Sequence, residues 1–235
     1  MNYFYKKLIL PLFTLLLLCN SFITTAQITK DYDLWLQYQK SSVANGIFKN
    51  IALNAKNETD KAIQNELKTA SERMFQYSPT FSNSENATLI IKKTSELEPT
   101  QKNIIDKANA LNDDGFAIET IQNKGKKTVL ITAKTSLGLL YGTFRLLREL
   151  QINPSKKDFS IADEPKLKVR MLNHWDNLDG SIERGYAGNS IFFSSRLKGY
   201  SWEKRLIEYA RANASIGING SVLNNVNASP KILTK

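Results

Sequence analysis

The spacing of apolar residues predicts two amphipathic helices in the first two thirds of the chain. Over residues 59–75 and again over residues 136–150, apolar side chains recur every three or four positions while charged side chains occupy the remaining ones. Each helix must bury its apolar stripe against another layer of structure. The two stripes are formed by Ile63, Leu67, Ala70 and Met74 and by Leu140, Phe144 and Leu147.

Short runs rich in β-branched residues lie around these helices and predict strands over residues 50–53, 87–91, 115–123 and 127–132. A turn through Lys124, Gly125 and Lys126 joins the last two runs, as expected for a hairpin. Strands with helices packed on them form a compact layered domain. We therefore predict a small two-layer α/β domain over residues 27–160, in which the sequence shows no catalytic motif.

The pattern changes after residue 153. Residues 153–165 are polar, break both periodicities and end at Pro165, which predicts a domain boundary. Beyond it, Leu167, Val169 and Met171 alternate with basic residues as in a strand. A polar loop over 174–199, a helix over 202–215 and a strand over 218–223 are then expected.

This order is that of a (β/α)8 TIM barrel, whose functional residues lie at the carboxyl ends of the strands. Residues 161–235 would supply only its first one and a half units. Such a piece leaves strand edges and an apolar face uncovered. We therefore expect the chain to be a truncated part of a longer protein.

The first residues have the layout of a signal peptide. Lys6 and Lys7 precede an apolar run, and small residues stand before Gln27, so cleavage after residue 26 is expected. The protein is then exported, to the periplasm or out of the cell, with no membrane attachment after cleavage. An uncleaved anchor, or a lipoprotein acylated at Cys19, are the alternatives that the residues leave open.

The formal charge of +10 is spread along the chain rather than concentrated. It suits acidic partners such as uronate-bearing polysaccharide, nucleic acid or anionic lipid, or simply a solvated surface. No nucleic-acid motif is present, and the export signal opposes such a partner. Because His174 is the single histidine and Cys19 the single cysteine, neither a disulfide nor a metal site is expected. No nucleotide, dinucleotide or serine-hydrolase motif occurs, so no cofactor is expected.

One tryptophan lies among carboxylates and amides directly after a predicted strand. In residues 173–188, Trp175 could pack its ring on the C–H face of a sugar while polar neighbours pair the hydroxyl groups. Alternatively, Asp176, Asp179, Glu183 and Arg184 only pin a long loop through ion pairs and turns. The residues by themselves favour neither interpretation.

Residues 173–188, with 190–192, 217–220 and 224–227, resemble the first two barrel strands and loops of the glycoside hydrolase family 67 α-glucuronidases. Residues 32–36 and 138–142 look like the N-terminal α/β domain of that family. The resemblance implies release of (4-O-methyl)glucuronic acid from glucuronoxylan-derived oligosaccharides, with inversion and without metal or organic cofactor.

The resemblance also implies where the substrate lies. We expect substrate binding by Trp175 on the first strand end and by Asn224, Asn225 and Val226 on the second, with Asp176, Asn177, Asp179 and Arg184 shaping the loop. Inversion needs two carboxyl groups about 6.5–9.5 Å apart, and the family takes them from later strands. We therefore expect no catalytic residue in this chain, which alone would be inactive, and a homodimer for the full-length protein. The alternative is a secreted remnant that binds carbohydrate or has a structural role.

Overall fold

A computed structural model describes residues 36–82, 86–193 and 200–224 of the protein. The predicted signal peptide, residues 1–26, lies outside the described residues. No helix in the described part is long and apolar enough to cross a membrane. In chain order the elements are β1 (Asn50–Leu53), α1 (Glu58–Phe75), β2 (Thr80–Phe81), β3 (Leu89–Lys93), α2 (Lys102–Asn109), β4 (Phe116–Asn123), β5 (Lys126–Ala133), α3 (Ser136–Ile152), β6 (Ser160–Asp163), β7 (Met171–Asp176), α4 (Tyr200–Ser215) and β8 (Gly220–Asn224).

The elements from β1 to β6 form a mixed sheet with helices packed on it. The sheet has six strands in the order β2-β1-β3-β5-β4-β6, and β1, β2, β3 and β5 run parallel. The predicted hairpin is confirmed: β4 and β5 pair antiparallel from Phe116↔Ala133 to Asn123↔Lys126. Its turn places Lys124 and Gly125 in the left-handed region, at φ 50° and 79°, as a two-residue hairpin turn requires.

Helices α1 and α3 bury their predicted stripes in the main core of this sheet. The side chain of Asn57 accepts a hydrogen bond from the Asp60 amide at the start of α1. Thr135 caps α3 in the same way through the Gly138 amide. Such caps satisfy backbone donors that have no partner inside the helix. The largest side chains fully buried are Phe48, Ile51, Ile63, Leu67, Met74, Leu89, Ile91, Ile118, Leu130, Ile131, Leu146 and Leu147.

Two glycines let α3 approach the sheet closely. A Cβ atom at Gly138 would lie 2.6 Å from the Gly115 carbonyl oxygen, and one at Gly142 would lie 2.7 Å from Ile131 Cγ2. Both distances are far below van der Waals contact. The glycines within residues 138–142 are therefore explained by helix packing.

Three elements of this domain are absent from the sequence-based expectations: the short strand β2, helix α2 and strand β6. Helix α2 lies beside β4 and β5, where it buries Ala108 and where Lys107 donates a hydrogen bond to Glu119. Strand β6 lies inside the stretch expected to be an irregular linker, so that expectation is wrong for residues 160–163. Its backbone pairs antiparallel with residues 116–119 of β4, which would otherwise be an unpaired edge. The domain boundary near residue 160 stays a prediction.

The remaining elements form a strand–helix–strand unit in which β7 and β8 pair in parallel. The predicted helix and second strand are confirmed as α4 and β8, but the strand expected over residues 167–171 is wrong. Strand β7 begins only at Met171, and Leu167 and Val169 are 68% and 67% exposed. The fold is mixed α/β, as predicted.

Arg170 explains why the strand begins late. Its side chain turns toward the first domain, donating to Asp114 Oδ2 (2.7 Å) and to the Tyr141 hydroxyl (3.2 Å). It also donates to the Gly217 carbonyl at 2.5 Å. Burial alone would lower the pKa of Arg170, but its hydrogen bonds to Asp114 and Tyr141 outweigh this effect, so the pKa is raised. Arg170 thus stays charged and anchors the start of β7.

A second arginine attaches α4 to α1. Arg211 donates through Nε and a terminal nitrogen to the two oxygens of Glu66, at 2.7 and 2.8 Å. Glu66 is buried and also accepts a hydrogen bond from Tyr38. Burial and then the Glu66 charge raise the pKa of Tyr38, so its hydroxyl remains a donor. The strand–helix–strand unit is therefore tied to the first domain by charged contacts, of which the one between Arg211 and Glu66 is bidentate.

Candidate functional site

The carboxyl ends of β7 and β8 bring Trp175 and Asn224 to the same edge of the two-stranded sheet. The pairing runs from Met171↔Gly220 to Asn173↔Val222, then shifts so that Asp176 faces Asn224. One extra residue on β7 therefore forms a bulge that includes Trp175, and bulges commonly re-aim a side chain. Trp175 is 39% exposed. Asn225 and Val226 lie outside the described residues.

The backbone of Trp175 is held from the loop that follows it. The Glu183 amide donates to the Trp175 carbonyl at 2.9 Å. Glu183 has a left-handed backbone, φ 59°, which costs a non-glycine residue about 1–2 kcal/mol. Its own carbonyl accepts a hydrogen bond from the Asn177 side chain at 2.8 Å. The strained residue is thus fixed on both sides, and the loop folds back onto the strand end.

Asp179 and Ser181 form a tight turn in the same loop. Asp179 Oδ1 accepts from the Ser181 hydroxyl at 2.6 Å and from the Ser181 amide at 2.9 Å. These bonds, the hydroxyl first, lower the pKa of Asp179. Asn177 and Asp179 therefore have contacts that fit a loop-shaping role. Arg184 is exposed, and among the described residues no hydrogen bond or ion pair of its side chain is seen.

Asp176 lies on the inner side of the strand end. It is 3% exposed, and its Oδ1 is 3.9 Å from Nδ1 of His174. An Asp176 antiparallel bridge to Ile182 closes the loop over it. A carboxylate buried in this way supports the loop and the strand rather than presenting itself to a substrate in solution.

His174 belongs to a polar chain that the sequence does not predict. His174 Nε2 lies 2.5 Å from the Tyr209 hydroxyl, which lies 2.9 Å from Ser221 Oγ. The ring of Phe192 packs edge-on against His174, with centroids 5.0 Å apart, and against Tyr209, at 5.4 Å. The chain links β7, α4 and β8. The sequence predicts α4 as a helix, but not the hydrogen-bonding partners of Tyr209.

The site can hold a ring and pair hydroxyl groups, since an exposed indole stands beside a strand-end asparagine. The carboxylates around it are engaged otherwise: Asp176 is buried and Asp179 is bonded to Ser181. Across the described ranges, no group of three or more His, Cys, Asp or Glu side chains is placed to hold a metal ion.

Comparisons with known proteins place both parts of the chain in one family. The model of the glycosyl hydrolase family 67 N-terminus matches residues 34–146, and that of the family 67 middle domain matches residues 149–235. "Probable alpha-glucuronidase A" of Aspergillus terreus is 41% identical over 160 residues, 63% of this chain and 17% of the relative. "Alpha-glucuronidase A" of Emericella nidulans is 39% identical over 135 residues, 52% of this chain and 14% of the relative. The chain thus spans less than a fifth of these curated relatives.

A solved structure agrees with the fold. A family GH115 4-O-methyl-α-glucuronidase with specificity for decorated arabinogalactans superimposes with a TM-score of 0.52 at 14% identity. The match covers 79% of this chain and 25% of that one. At this identity the likeness concerns the fold alone, whereas the two family models together cover most of the sequence. The chain belongs to glycosyl hydrolase family 67.

Proposed function

We propose that this chain is part of an α-glucuronidase that releases (4-O-methyl)glucuronic acid from glucuronoxylan-derived oligosaccharides. Family membership and the names of the curated relatives support the release of a glucuronic acid. The xylan-derived substrate, the 4-O-methyl group and inversion follow only from the resemblance described above.

The observation that carries the proposal is the exposed Trp175 at a strand end, held by Glu183 and backed by His174. In a (β/α)8 barrel this is the end at which substrates bind. The indole would cover one face of the uronate ring, and the Asn224 side chain would approach its hydroxyl groups. Asp176 is buried and Asp179 is bonded to Ser181, so we propose that the acid and base of an inverting reaction come from residues outside this chain.

Binding to the chain itself tests the role of Trp175. We expect a glucuronic-acid-bearing xylo-oligosaccharide to quench tryptophan fluorescence of the wild type. Isothermal titration calorimetry should show that Trp175→Ala weakens this binding about tenfold, because stacking of one aromatic ring contributes about 1 kcal/mol or more. Tyr186→Ala is the matched control, since Tyr186 is an aromatic residue 76% exposed on the same loop. Equal binding by Trp175→Ala and the wild type would overturn the assignment.

Reading the gene past the codon for Lys235 tests the fragment status. We expect the frame to continue and to supply carboxylates on later barrel strands, and the longer product to release free glucuronic acid while the present chain does not. An immediate stop codon would instead leave a secreted remnant that at most binds carbohydrate.

Export is a further part of the proposal. The protein would be periplasmic or extracellular, and the mature chain would begin at Gln27. Amino-terminal sequencing of the exported protein checks this, and an intact Met1 in the exported fraction would contradict it. The homodimer stays a prediction.

A further inference from the structure

In one cleft of the first domain, all the charged residues of the lining are basic. The cleft measures about 370 Å³ and lies where β1 and β5 begin and where the chain returns from α3 to β6. We call it the lysine cleft. Its charged lining consists of Lys49, Lys127, Lys156 and Lys157, and its remaining lining of Asn45, Gly46, Ile47, Thr88, Thr120 and Val129.

Two of the four lysines have carboxylate partners and two do not. Lys127 pairs with Asp158 at 2.8 Å, and Lys156 pairs with Glu149 at 2.5 Å. Lys49 and Lys157 are exposed, and neither forms an ion pair with a residue in the described part of the chain. The cleft therefore keeps a positive charge that the protein itself does not neutralise.

Three other clefts of the described structure differ in this respect. The cleft beside Arg170 includes Asp163 and Glu164, and the cleft between α1 and α4 includes Glu66 and Glu208. The cleft at the end of β3 includes Glu96 and Glu98. Each of these mixes acidic with basic side chains, so among these four clefts only the lysine cleft has charged residues of a single sign.

The frame of the lysine cleft is fixed by hydrogen bonds across distant segments. Asn45 donates to the Pro154 carbonyl at 2.8 Å, and the Phe159 amide donates to Thr120 Oγ1 at 2.9 Å. Thr88 Oγ1 donates toward the Ile47 and Asn50 carbonyls, both at 2.9 Å. The lysine side chains thus extend from a backbone that does not need to be ordered by a ligand.

We propose that the lysine cleft is a second carbohydrate site, which binds uronate carboxylates of an acidic polysaccharide and keeps the polymer near the protein. The uronate class of ligand rests on the proposed function. The volume is in the range of small-ligand sites, and ammonium groups suit isolated carboxylates as point charges. The lining holds no aromatic ring on which a neutral sugar or a nucleobase could stack. It also has no protruding apolar side chain that would enter a lipid surface.

The test measures binding of intact glucuronoxylan to the full chain carrying Trp175→Ala, so that binding at the strand-end site is weakened. Affinity electrophoresis in gels with glucuronoxylan should retard this protein, less so as salt increases. Lys49→Glu with Lys157→Glu should weaken retardation about tenfold, as expected when two exposed charges are reversed. The control, Lys40→Glu with Lys68→Glu, makes the same change of net charge at two exposed lysines elsewhere and should change it less than twofold. Circular dichroism confirms that each variant folds.

Three outcomes would overturn the proposal for the lysine cleft. These are no retardation of the Trp175→Ala protein, equal losses in the two double variants, or equal lysine dependence with dextran sulfate or RNA, which would indicate a general polyanion surface. The proposed function fails separately. If oligosaccharide quenching at Trp175 persists while Lys49→Glu with Lys157→Glu has no effect on polymer binding, the strand-end site stands and the lysine cleft does not.

Discussion

The first domain and the strand–helix–strand unit are built from similar elements but are stabilised differently. In the first domain, β5 is buried from Thr128 to Ala133, and α1 and α3 contribute many fully buried apolar side chains. In the second unit, Met171, Trp175, Val222 and Leu223 are between 37% and 48% exposed. It is attached to the first domain by the polar contacts of Arg170 and Arg211, by a hydrogen bond from Arg148 to the Ser215 carbonyl and by Ala214, which packs against the main core.

This difference has a thermodynamic consequence. Apolar burial stabilises a domain from within, at about 25 cal/mol per Å² removed from water. Breaking a charged contact such as that of Arg211 with Glu66 is costly mainly because Glu66, left without Arg211, would be a buried charge. We therefore expect the first domain to determine global stability and the second unit to depend on its two arginines.

The largest effect should come from Leu147→Ala. Leu147 is 1% exposed in the core of the first domain, and a cavity there should lower the free energy of unfolding by about 3 kcal/mol. Urea unfolding followed by circular dichroism measures it. Ile152→Ala removes an aliphatic side chain that is 76% exposed at the end of the same helix, and should cost about 0.5 kcal/mol or less. Similar losses of stability for both variants would contradict the conclusion that burial in this core determines global stability.

Arg211→Met should act on the second unit instead. The change leaves Glu66 buried with Tyr38 as a remaining donor, so it should cost about 2–3 kcal/mol. Amide hydrogen exchange should show lost protection in α4 and little change in β5. Adding Glu66→Met should restore part of the protection, since no buried charge then remains. Unchanged exchange in α4 would show that Arg211 is not its anchor.

A smaller effect tests the close approach of α3 to the sheet. Gly138→Ala would place a methyl group 2.6 Å from a backbone oxygen, so α3 must shift, at a cost of about 2 kcal/mol. At Gly46 an added Cβ would meet only Lys49 carbons at 3.5 Å, which is ordinary contact. The urea midpoint should therefore fall for Gly138→Ala and hardly move for Gly46→Ala.

The smallest effect concerns Glu149, whose pKa is lowered first by the hydrogen bond from Lys156 and then by that from Arg145. A carboxyl group with a lowered pKa in the folded state stabilises the protein above its ordinary pKa of 4.5, and this contribution is lost as the pH falls below that value. Glu149→Gln should therefore cost about 0.5 kcal/mol at pH 7 and less at pH 3. Urea unfolding at both values measures the difference, and an equal cost at both would contradict the assignment.

The predictable part of the fold is the part with regular apolar spacing. Helices α1, α3 and α4 each carry a stripe that repeats over several turns, so their positions follow from the sequence. Helix α2 buries only Ala108 within its eight residues, which leaves no stripe to detect. Strand β6 has a single partly buried apolar residue, Ile161, and exists because β4 offers it an edge. The alternation at residues 167–171 predicted a strand that does not form there, because Arg170 is held by Asp114 and Tyr141.

The candidate site also has one part that the sequence indicates and one part that it does not. Trp175 was identified from its residue type and its place after a predicted strand, and its partner Asn224 from the end of the next strand. The polar chain behind it joins His174 to Tyr209, 35 residues further along. No local pattern reports such a pair, because the two side chains meet only when α4 packs on β7.

Periodicity, turn residues and motif spacing within short segments were enough to predict α1, α3, α4 and the hairpin, and to indicate the family and Trp175 as a candidate. The bulge at Trp175, the two arginine anchors and the collection of lysines into one cleft depend on tertiary packing. These features join residues far apart in the chain, where the chosen partner depends on how the layers pack and not on the neighbouring sequence.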